Sequence, residues 1–498
     1  MAEAEKDTAQ GAEAQALEPS EFSSLLDQEF KPKSDRARDA VQAAVGTLAE
    51  QALKETTVIS SDVLETISAM IAEIDQKLTD QVNEIMHHED FRKLEGAWRG
   101  LHYMVNNTET DELLKVRVFN ISKKDLGKQL KKYKGTAWDQ SPIFKKIYGE
   151  EYDQFGGEPY GAIVGDFHFD HSPPDVEILS GMAQIAAAAH APFITGADPT
   201  LLNMDSWQEL SNPRDIKKIF TAPDYAAWRS LRESEDSRYL GLAMPRFLAR
   251  QPYGASTEPV EEFDFEEDTS GTDSEKYVWA NSAYAMATNI NRAFKQYGWC
   301  TRIRGIESGG AVEGLPVHSF PTDDGGVDMK CPTEIAIGDR REKELADCGM
   351  MPLIHKKNSD FAAFIGAQSL QAPAEWDDPD ATANAKLAAN MPYLFATCRF
   401  AHYLKCIVRD KIGSFKEKDD MQKWLTGWIN NYVDQNPELS DERGKAERPL
   451  AAAEVVIEDD PSNPGFYRSK FFLRPHYQLE GLDVSLRLVS KLPSAKAG

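Results

Sequence analysis

The chain has 498 residues and a formal net charge of −25. At roughly 150 residues per domain, that length predicts two to four packed units or one large domain with excursions. Apolar residues make up 41% and charged residues 28%, a globular balance that argues against a disordered, collagen-like or membrane-spanning chain. The acidic excess argues against a nucleic-acid-binding surface, because its long-range field would repel phosphate polymers and anionic membranes.

Five cysteines (Cys300, Cys331, Cys348, Cys398 and Cys406) form no CxxC pair and are odd in number, which fits free thiols in a reducing compartment. The Met1–Asp7 start lacks the positive and apolar regions of a secretory signal, and no apolar stretch approaches the ~18 residues of a spanning helix. The expectation is a cytoplasmic protein without membrane insertion.

Residues 1–40 are rich in Ala, Glu, Gln and Asp with scattered anchors (Leu17, Phe22, Leu25, Leu26, Phe30), and read as a flexible N-terminal arm. Helical periodicity begins at Val41. Asp62-Val-Leu-Glu65 has capping-box form ahead of a stripe of Val63, Ile67, Met70, Ile74, Leu78, Val82 and Ile85. After a break at His87-His88, a second helix carries Phe91, Leu94, Trp98, Leu101 and Val105 on one face. Such a stripe serves either a core or an intermolecular helical contact.

Leu113–Ile121 reads as a strand, with Leu114, Val116 and Val118 alternating against charged neighbours. Helical signals follow at Ser122–Asp125 and Pro142–Tyr152. Tyr160–Asp166 reads as a buried strand, Ser172 as an N-cap with Pro173 at the first helical position, the helix running to His190, and Pro192–Gly196 as the next strand. That strand–helix–strand unit makes the fold class α/β, mixed with α+β features.

Thr257–Asp268 holds seven acids and no base, so 257–275 reads as an exposed acidic loop. A helix is expected over Tyr277–Tyr297, Gly-rich loops and strands to Ile337, and helices over Tyr393–Lys411 and Asp419–Val433. The chain closes with strands at Ala453–Glu458, Ser469–Gln478 and Leu482–Val489, where Val484, Leu486 and Leu488 alternate with Asp483, Ser485 and Arg487. A sheet built from the last forty residues needs a partner edge.

Asp166, His168, Asp170 and His171 are hard and borderline ligands that could hold a divalent ion, but no distant ligand set matches them. A hydrogen-bonded strand-to-helix turn is the simpler reading. Gly305-Ile-Glu-Ser-Gly309-Gly310 lacks the Gly-Lys-Ser/Thr ending of a phosphate loop and reads as a tight loop. No Gly-x-Ser-x-Gly elbow or Cys/His signature supports nucleophilic catalysis. Asp339-Arg-Arg-Glu342 reads as a surface ion-pair cluster. Two basic patches, Lys123–Lys134 and Arg399–Lys418, oppose the overall charge and would suit docking on an acidic protein surface if they are more than solvated helix faces.

Several runs are specific enough to carry a resemblance: His88-Glu-Asp-Phe-Arg-Lys-Leu-Glu-Gly-Ala-Trp-Arg-Gly-Leu101, Gly165-Asp-Phe-His-Phe169, Arg238-Tyr-Leu-Gly-Leu-Ala-Met-Pro-Arg-Phe247, Gly298-Trp-Cys-Thr-Arg-Ile-Arg-Gly305 and Lys470-Phe-Phe-Leu-Arg-Pro-His-Tyr-Gln-Leu-Glu-Gly-Leu482. Asp360–Gln368 and Cys398–Asp410 add to them. From about Val41 onward the chain closely resembles the large contractile-sheath subunit of bacterial type VI secretion systems, the TssC or VipB family.

The resemblance implies a phage-tail-sheath-like core completed by a small sheath subunit (TssB or VipA). Copies would stack as a helical tube around an inner tube of Hcp rings, grow from a baseplate, contract to expel the inner tube, and be disassembled by the AAA+ ATPase ClpV acting on the assembled sheath. It implies a structural protein without cofactor, catalytic residues or metal. The implied organisation is an arm over 1–40, a helical region over 41–110 packing with the small subunit, α/β sheath domains over 111–390, and a C-terminal sheath core with terminal linking strands over 391–498. Phe471, Leu473, Val484, Leu486 and Leu488 are the expected inter-subunit strand linkage, because backbone pairing can join protomers that rotate and slide during contraction. Lys405, Arg409, Lys411, Lys416 and Lys418 are the expected inner-tube contact, since exposed ion pairs of about 0–1 kcal/mol each can be released. The competing expectations are a cytosolic α/β enzyme with a site at Asp166–His171, and an adaptor that does not polymerise.

Overall fold

A long amphipathic helix, α1 (Val63–Met86), opens the main described chain, and α2 (Glu89–Asn106) follows the His87-His88 break. The computed structural model describes residues 63–212, 214–269, 274–322, 324–411, 418–459, 467–476 and 478, with Arg36 and Ala43. The arm expected over 1–40, Arg36 apart, and the strand expected at Leu482–Val489 lie outside these residues. Two compact units divide the chain. One comprises Met1–Gly96, Leu248–Trp279 and Pro316–Lys330; the other comprises Ala97–Phe247, Ala280–Leu315 and Cys331–Gly498.

The second unit is built on α3 (Lys123–Lys132), β1 (Ile163–Phe169), α4 (Pro173–Ala189), β2 (Phe193–Ala197), β3 (Leu240–Met244), α5 (Ser282–Tyr297) and β4 (Ala311–Val312). In the first unit β5 (His318–Pro321) and β6 (Val327–Lys330) form an antiparallel hairpin. The second unit continues with α6 (Asp339–Asp347), β7 (Met350–His355), β8 (Ala362–Phe364), α7 (Pro379–Ala388), α8 (Met391–Lys411), α9 (Lys418–Ile429), β9 (Leu450–Asp459) and β10 (Tyr467–Pro475).

Its six-stranded sheet has the order β1-β2-β3-β7-β8-β4. The first three pairings are parallel, which the intervening helices allow, and the last two are antiparallel. β2 and β3 are buried throughout, so they read as continuous apolar runs rather than alternating ones. The β1–β2 register shifts between Val164 and His168, where Thr195 Oγ1 bonds the Gly165 and Phe167 carbonyls, both at 2.9 Å. α4 and α5 both pack on the first three strands. α4 begins at Pro173 and ends on His190 in the left-handed conformation, as its start and stop signals dictate.

A further core in this unit joins α8, α9 and the β9–β10 hairpin through Trp299, Phe400, Leu404, Leu425, Ile429, Leu450, Val455 and Ile457. Trp299 stacks on Phe400 with ring centroids 4.3 Å apart, and Tyr432 meets both rings edge-on.

Two expectations are corrected, and one left open is narrowed. Leu113–Ile121 forms no strand: Lys115 pairs with Glu158, and Arg117 pairs with Glu151 and Glu158. The charges that suggested a solvent face are tied to the 151–158 segment, while Leu113, Val118 and Phe119 stand exposed. The acidic loop is exposed at Glu258, Glu261 and Glu262 but not throughout, since Phe265 and Glu267 are buried. Finally, the core-facing side of α2 is its small-residue side. Gly96 and Gly100 face inward, where a Cβ would come 2.4 Å from the Trp279 carbonyl oxygen and 2.5 Å from the Tyr284 ring respectively. Close backbone approach there leaves Phe91, Leu94, Trp98 and Val105 on the outside, Trp98 at 64% exposure.

Candidate assembly site

The arrangement of α1 follows from its polar residues. Thr79 and Asn83 are buried and clasp the acidic loop: Asn83 Nδ2 donates to the Glu266 carbonyl at 3.0 Å and Asn83 Oδ1 accepts the Asp268 N–H at 2.9 Å. Ile71 and Ile85, two heptads apart on the same helix, remain exposed. Below the loop lies a buried charge cluster. Arg250 is 4% exposed and reaches Glu95 at 2.6 Å and Glu267 at 2.6 Å, with the Tyr253 ring 4.6 Å from its guanidinium carbon. Burial pulls the guanidinium pKa down, but hydrogen bonds to Glu267 and Glu95 more than offset this and leave it raised. Sequence reasoning missed this cluster, because its members are separated by long stretches of chain.

Of the expected linkage residues, Phe471 and Leu473 lie on β10, paired antiparallel with Val455 and Ala453 of β9. Both side chains pack on the C-terminal aromatic core, and Phe472 between them is exposed. The hairpin is a two-stranded sheet among the described residues. Val484, Leu486 and Leu488 lie outside those residues.

Of the expected tube-contact residues, Lys405 and Arg409 share one face of α8. Lys405 Nζ lies 2.9 Å from Asp153 and 3.8 Å from the centre of the Tyr152 ring. Arg409 Nη1 donates to the Gln154 carbonyl at 3.2 Å, over the Phe155 ring. Both are partly exposed and pinned by the 148–155 segment. Lys411 ends α8 and Lys418 begins α9; Lys416 lies outside the described residues. In the other basic patch, Lys123 bonds Asp175, Lys128 bonds Asp125 and Lys134 bonds Glu177.

The Asp166–His171 residues do not converge. Asp166 is half-buried at the sheet, where desolvation raises its carboxyl pKa against hydrogen bonds from Asn281 and Tyr284. Asp170 accepts the Ser172 N–H at 2.7 Å and gives its own N–H to Asp175 at 2.9 Å, while His171 stacks on Tyr225 at 4.0 Å. This is a hydrogen-bonded strand-to-helix turn, and among the described residues no group of three His, Cys, Asp or Glu side chains is arranged to hold a metal ion. In the Gly305–Gly310 loop, Gly305 N–H bonds the Phe364 carbonyl and Gly310 N–H bonds the Gly305 carbonyl. Arg292 takes the Gly309 and Ala311 carbonyls. Those two amides are committed to carbonyls, so they do not cradle an anion.

The second unit thus carries a mixed sheet, an accessory aromatic core and a two-stranded hairpin packed on that core, and α2 bears an exposed apolar face. Residues 68–371 match the EvpB/VC_A0108 tail sheath N-terminal domain, and residues 380–492 match the tail sheath gpW/gp25-like domain. The chain belongs to the VipB family of tail sheath proteins. It is similar to the type VI secretion system sheath protein TssC1 of Pseudomonas aeruginosa, with 73% identity over 496 residues covering 100% of both chains. A chain in the cryo-EM structure of the anti-feeding prophage baseplate aligns with a TM-score of 0.37 and 11% identity, covering 79% of this chain and 87% of its own. No helix among the described residues is long and apolar enough to cross a membrane.

Proposed function

We propose that this chain is the large structural subunit of a type VI secretion contractile sheath. With a small partner of the TssB or VipA kind it polymerises around an inner Hcp tube on a baseplate, in the bacterial cytoplasm, and contracts to propel the tube outward. The observation that carries this is the full-length similarity to a type VI sheath protein together with both tail sheath domains in order. ClpV would act on the assembled sheath, and no residue of this chain is assigned to it. We read the chain as having no catalytic role and no cofactor.

The helical region over 41–110 is the proposed seat of the small subunit. Its support is the apolar face of α2, exposed at Phe91, Leu94 and Trp98. Unpartnered apolar surface of this kind marks an interaction site. The 111–390 segment would supply the sheath's α/β body and 391–498 its core and links. Phe471, Leu473, Val484, Leu486 and Leu488 are the proposed inter-subunit strand linkage, the first two lying on a hairpin that packs on its own protomer's aromatic core. Lys405, Arg409, Lys411, Lys416 and Lys418 are the proposed inner-tube contacts, the first two held in position by Asp153 and Gln154.

The test is Val484→Asp, Leu486→Asp and Leu488→Asp together in the full chain, co-expressed with the small subunit. Intact heterodimers without tubes are the expected result. Tubes of normal length would refute the strand linkage, and loss of the heterodimer itself would show that these residues serve the wrong interface.

A further inference from the structure

The second unit holds a cleft of about 510 Å³, bounded by α7, α8, the end of α4, the turn before β3 and the last residues of β10. That volume falls among sites that take a small molecule, about 300–1,000 Å³. Tyr239, Tyr393 and Leu394 are buried and give the cleft an apolar surface, to which Leu473 of β10 adds. Its formally charged groups are Arg238 and Arg474, and among the described residues no carboxylate lines it. In a chain with a net charge of −25, a cleft whose formal charges are both guanidiniums runs against the overall sign. Arg238 is half-buried and Arg474 exposed, so the two differ in their access to solvent.

The Arg238 guanidinium carbon lies 5.3 Å from the centre of the Tyr239 ring. His190, in the left-handed conformation (φ 50°) that ends α4, sets its own ring 6.4 Å from that same tyrosine. These three side chains therefore meet on one wall of the cleft. Arg238 Nε is buried and has no hydrogen-bond partner. A buried cationic N–H without an acceptor is destabilising, and it marks a position for an acceptor that the described chain does not supply. The positive charge is directed at the cleft: burial first, then Arg238 and Lys405, lower the His190 pKa. Burial raises the Cys398 thiol pKa, with the Arg238 charge opposing it. Asp236 acts on Tyr239 through its charge but does not line the cleft.

We propose that this cleft binds a small organic oxyanion, a carboxylate or phosphate carried on an aromatic body. A guanidinium presents a planar fork of N–H donors that matches either group, and the unpartnered Nε of Arg238 is one prong of that fork. The tyrosine rings and Leu394 cover the aromatic body, and Arg474 adds positive field from the solvent side. The site does not depend on whether the chain polymerises.

The test is calorimetric titration of the full-length chain with phenyl phosphate, benzoate, benzyl alcohol and inorganic phosphate. At least one of the first two should bind with Kd below about 1 mM, and about tenfold or more tighter than benzyl alcohol and inorganic phosphate. The tighter of the two tells a phosphate ester from a carboxylate. Arg238→Met should weaken that anion at least about tenfold, the loss expected when a hydrogen bond to a charged group is removed. Arg474→Gln should weaken it by about threefold, in keeping with an exposed charge. Arg340→Gln, whose parent side chain is 93% exposed and lies away from the cleft, should leave it unchanged. If Arg238→Met fails to fold, the contrast between Arg474→Gln and Arg340→Gln decides. Failure of both aromatic anions to bind, equal binding of benzyl alcohol or inorganic phosphate, undiminished binding in a folded Arg238→Met, or equal losses in Arg474→Gln and Arg340→Gln would overturn the proposal.

Discussion

Replacing Arg250 by alanine takes the buried cation away from two carboxylates. Glu267 is 1% exposed and Glu95 13%, and Arg250 bonds both, with contacts of 2.6 Å to each. At an effective dielectric constant near 20, each such pair is worth about 4 kcal/mol of Coulomb energy, and the desolvation of the ions cancels much of it while the cluster is intact. Removing the cation alone leaves the desolvation in place without the attraction, so the expected cost is about 3–5 kcal/mol. The Tyr253 ring beneath the guanidinium adds about 0.5–2 kcal/mol to that loss. Glu267 also accepts the Tyr253 N–H at 2.9 Å, so the compensating change must keep an acceptor there. Arg250→Met with Glu267→Gln should therefore recover at least half of the loss. The deficit of the single variant should shrink as pH falls toward the carboxylate range, since a stranded carboxylate favours its neutral form in the folded state, which then takes up a proton. Because the chain has two compact units, a single global unfolding energy is the wrong readout. Hydrogen exchange in α1 and in residues 251–268, read against urea, isolates the affected unit. A single-variant loss under about 1 kcal/mol, or a double variant no better than the single one, would refute the reasoning.

Three further outcomes are expected. Gly309→Ala should destabilise the chain by at least about 1–3 kcal/mol, because φ is +90° and a Cβ would sit 2.1 Å from the Arg302 carbonyl oxygen, whereas Gly427→Ala, in open space on α9, should be neutral or stabilising by about 0.5–1 kcal/mol; paired thermal melts check this. Burial lowers the His402 pKa to about 4, below its unfolded value near 6.5, so the unfolded chain binds the extra proton and stability should fall as pH drops through that window, by about 3 kcal/mol at most. His402→Gln, which can keep the bond to the Ala189 carbonyl, should flatten the melting temperature's pH slope between 6.5 and 4. Trp98→Glu should abolish co-purification with the small subunit while leaving the circular dichroism of the isolated chain unchanged; undiminished co-purification would remove the α2 face from the interface.

Local signals were the legible part of this fold. Ser122 caps α3 by accepting the Asp125 N–H, Pro173 opens α4 and Gly298 closes α5 with positive φ, each from a residue whose backbone chemistry acts within one turn. The β1–α4–β2 unit was legible because its strands are close in sequence. The β3–β7 pairing joins Leu242 to Met350, a separation at which no local pattern speaks. The strand expected at 113–121 failed for the same reason, since its charges belong to Glu151 and Glu158 rather than to solvent. The stripe on α2 had the right spacing but left its destination open between core and partner: Gly96 and Gly100 win the interior by letting backbone approach closely, which a count of apolar residues does not weigh. The family resemblance, by contrast, rested on runs such as Arg238–Phe247, whose middle is the buried strand β3.

The central claim is polymerisation with a partner. Negative-stain electron microscopy of this chain co-expressed with its small subunit, beside the chain alone, tests it most directly. Long tubes with a cogwheel cross-section only in the co-expressed sample are the predicted result; discrete particles in both samples would contradict it.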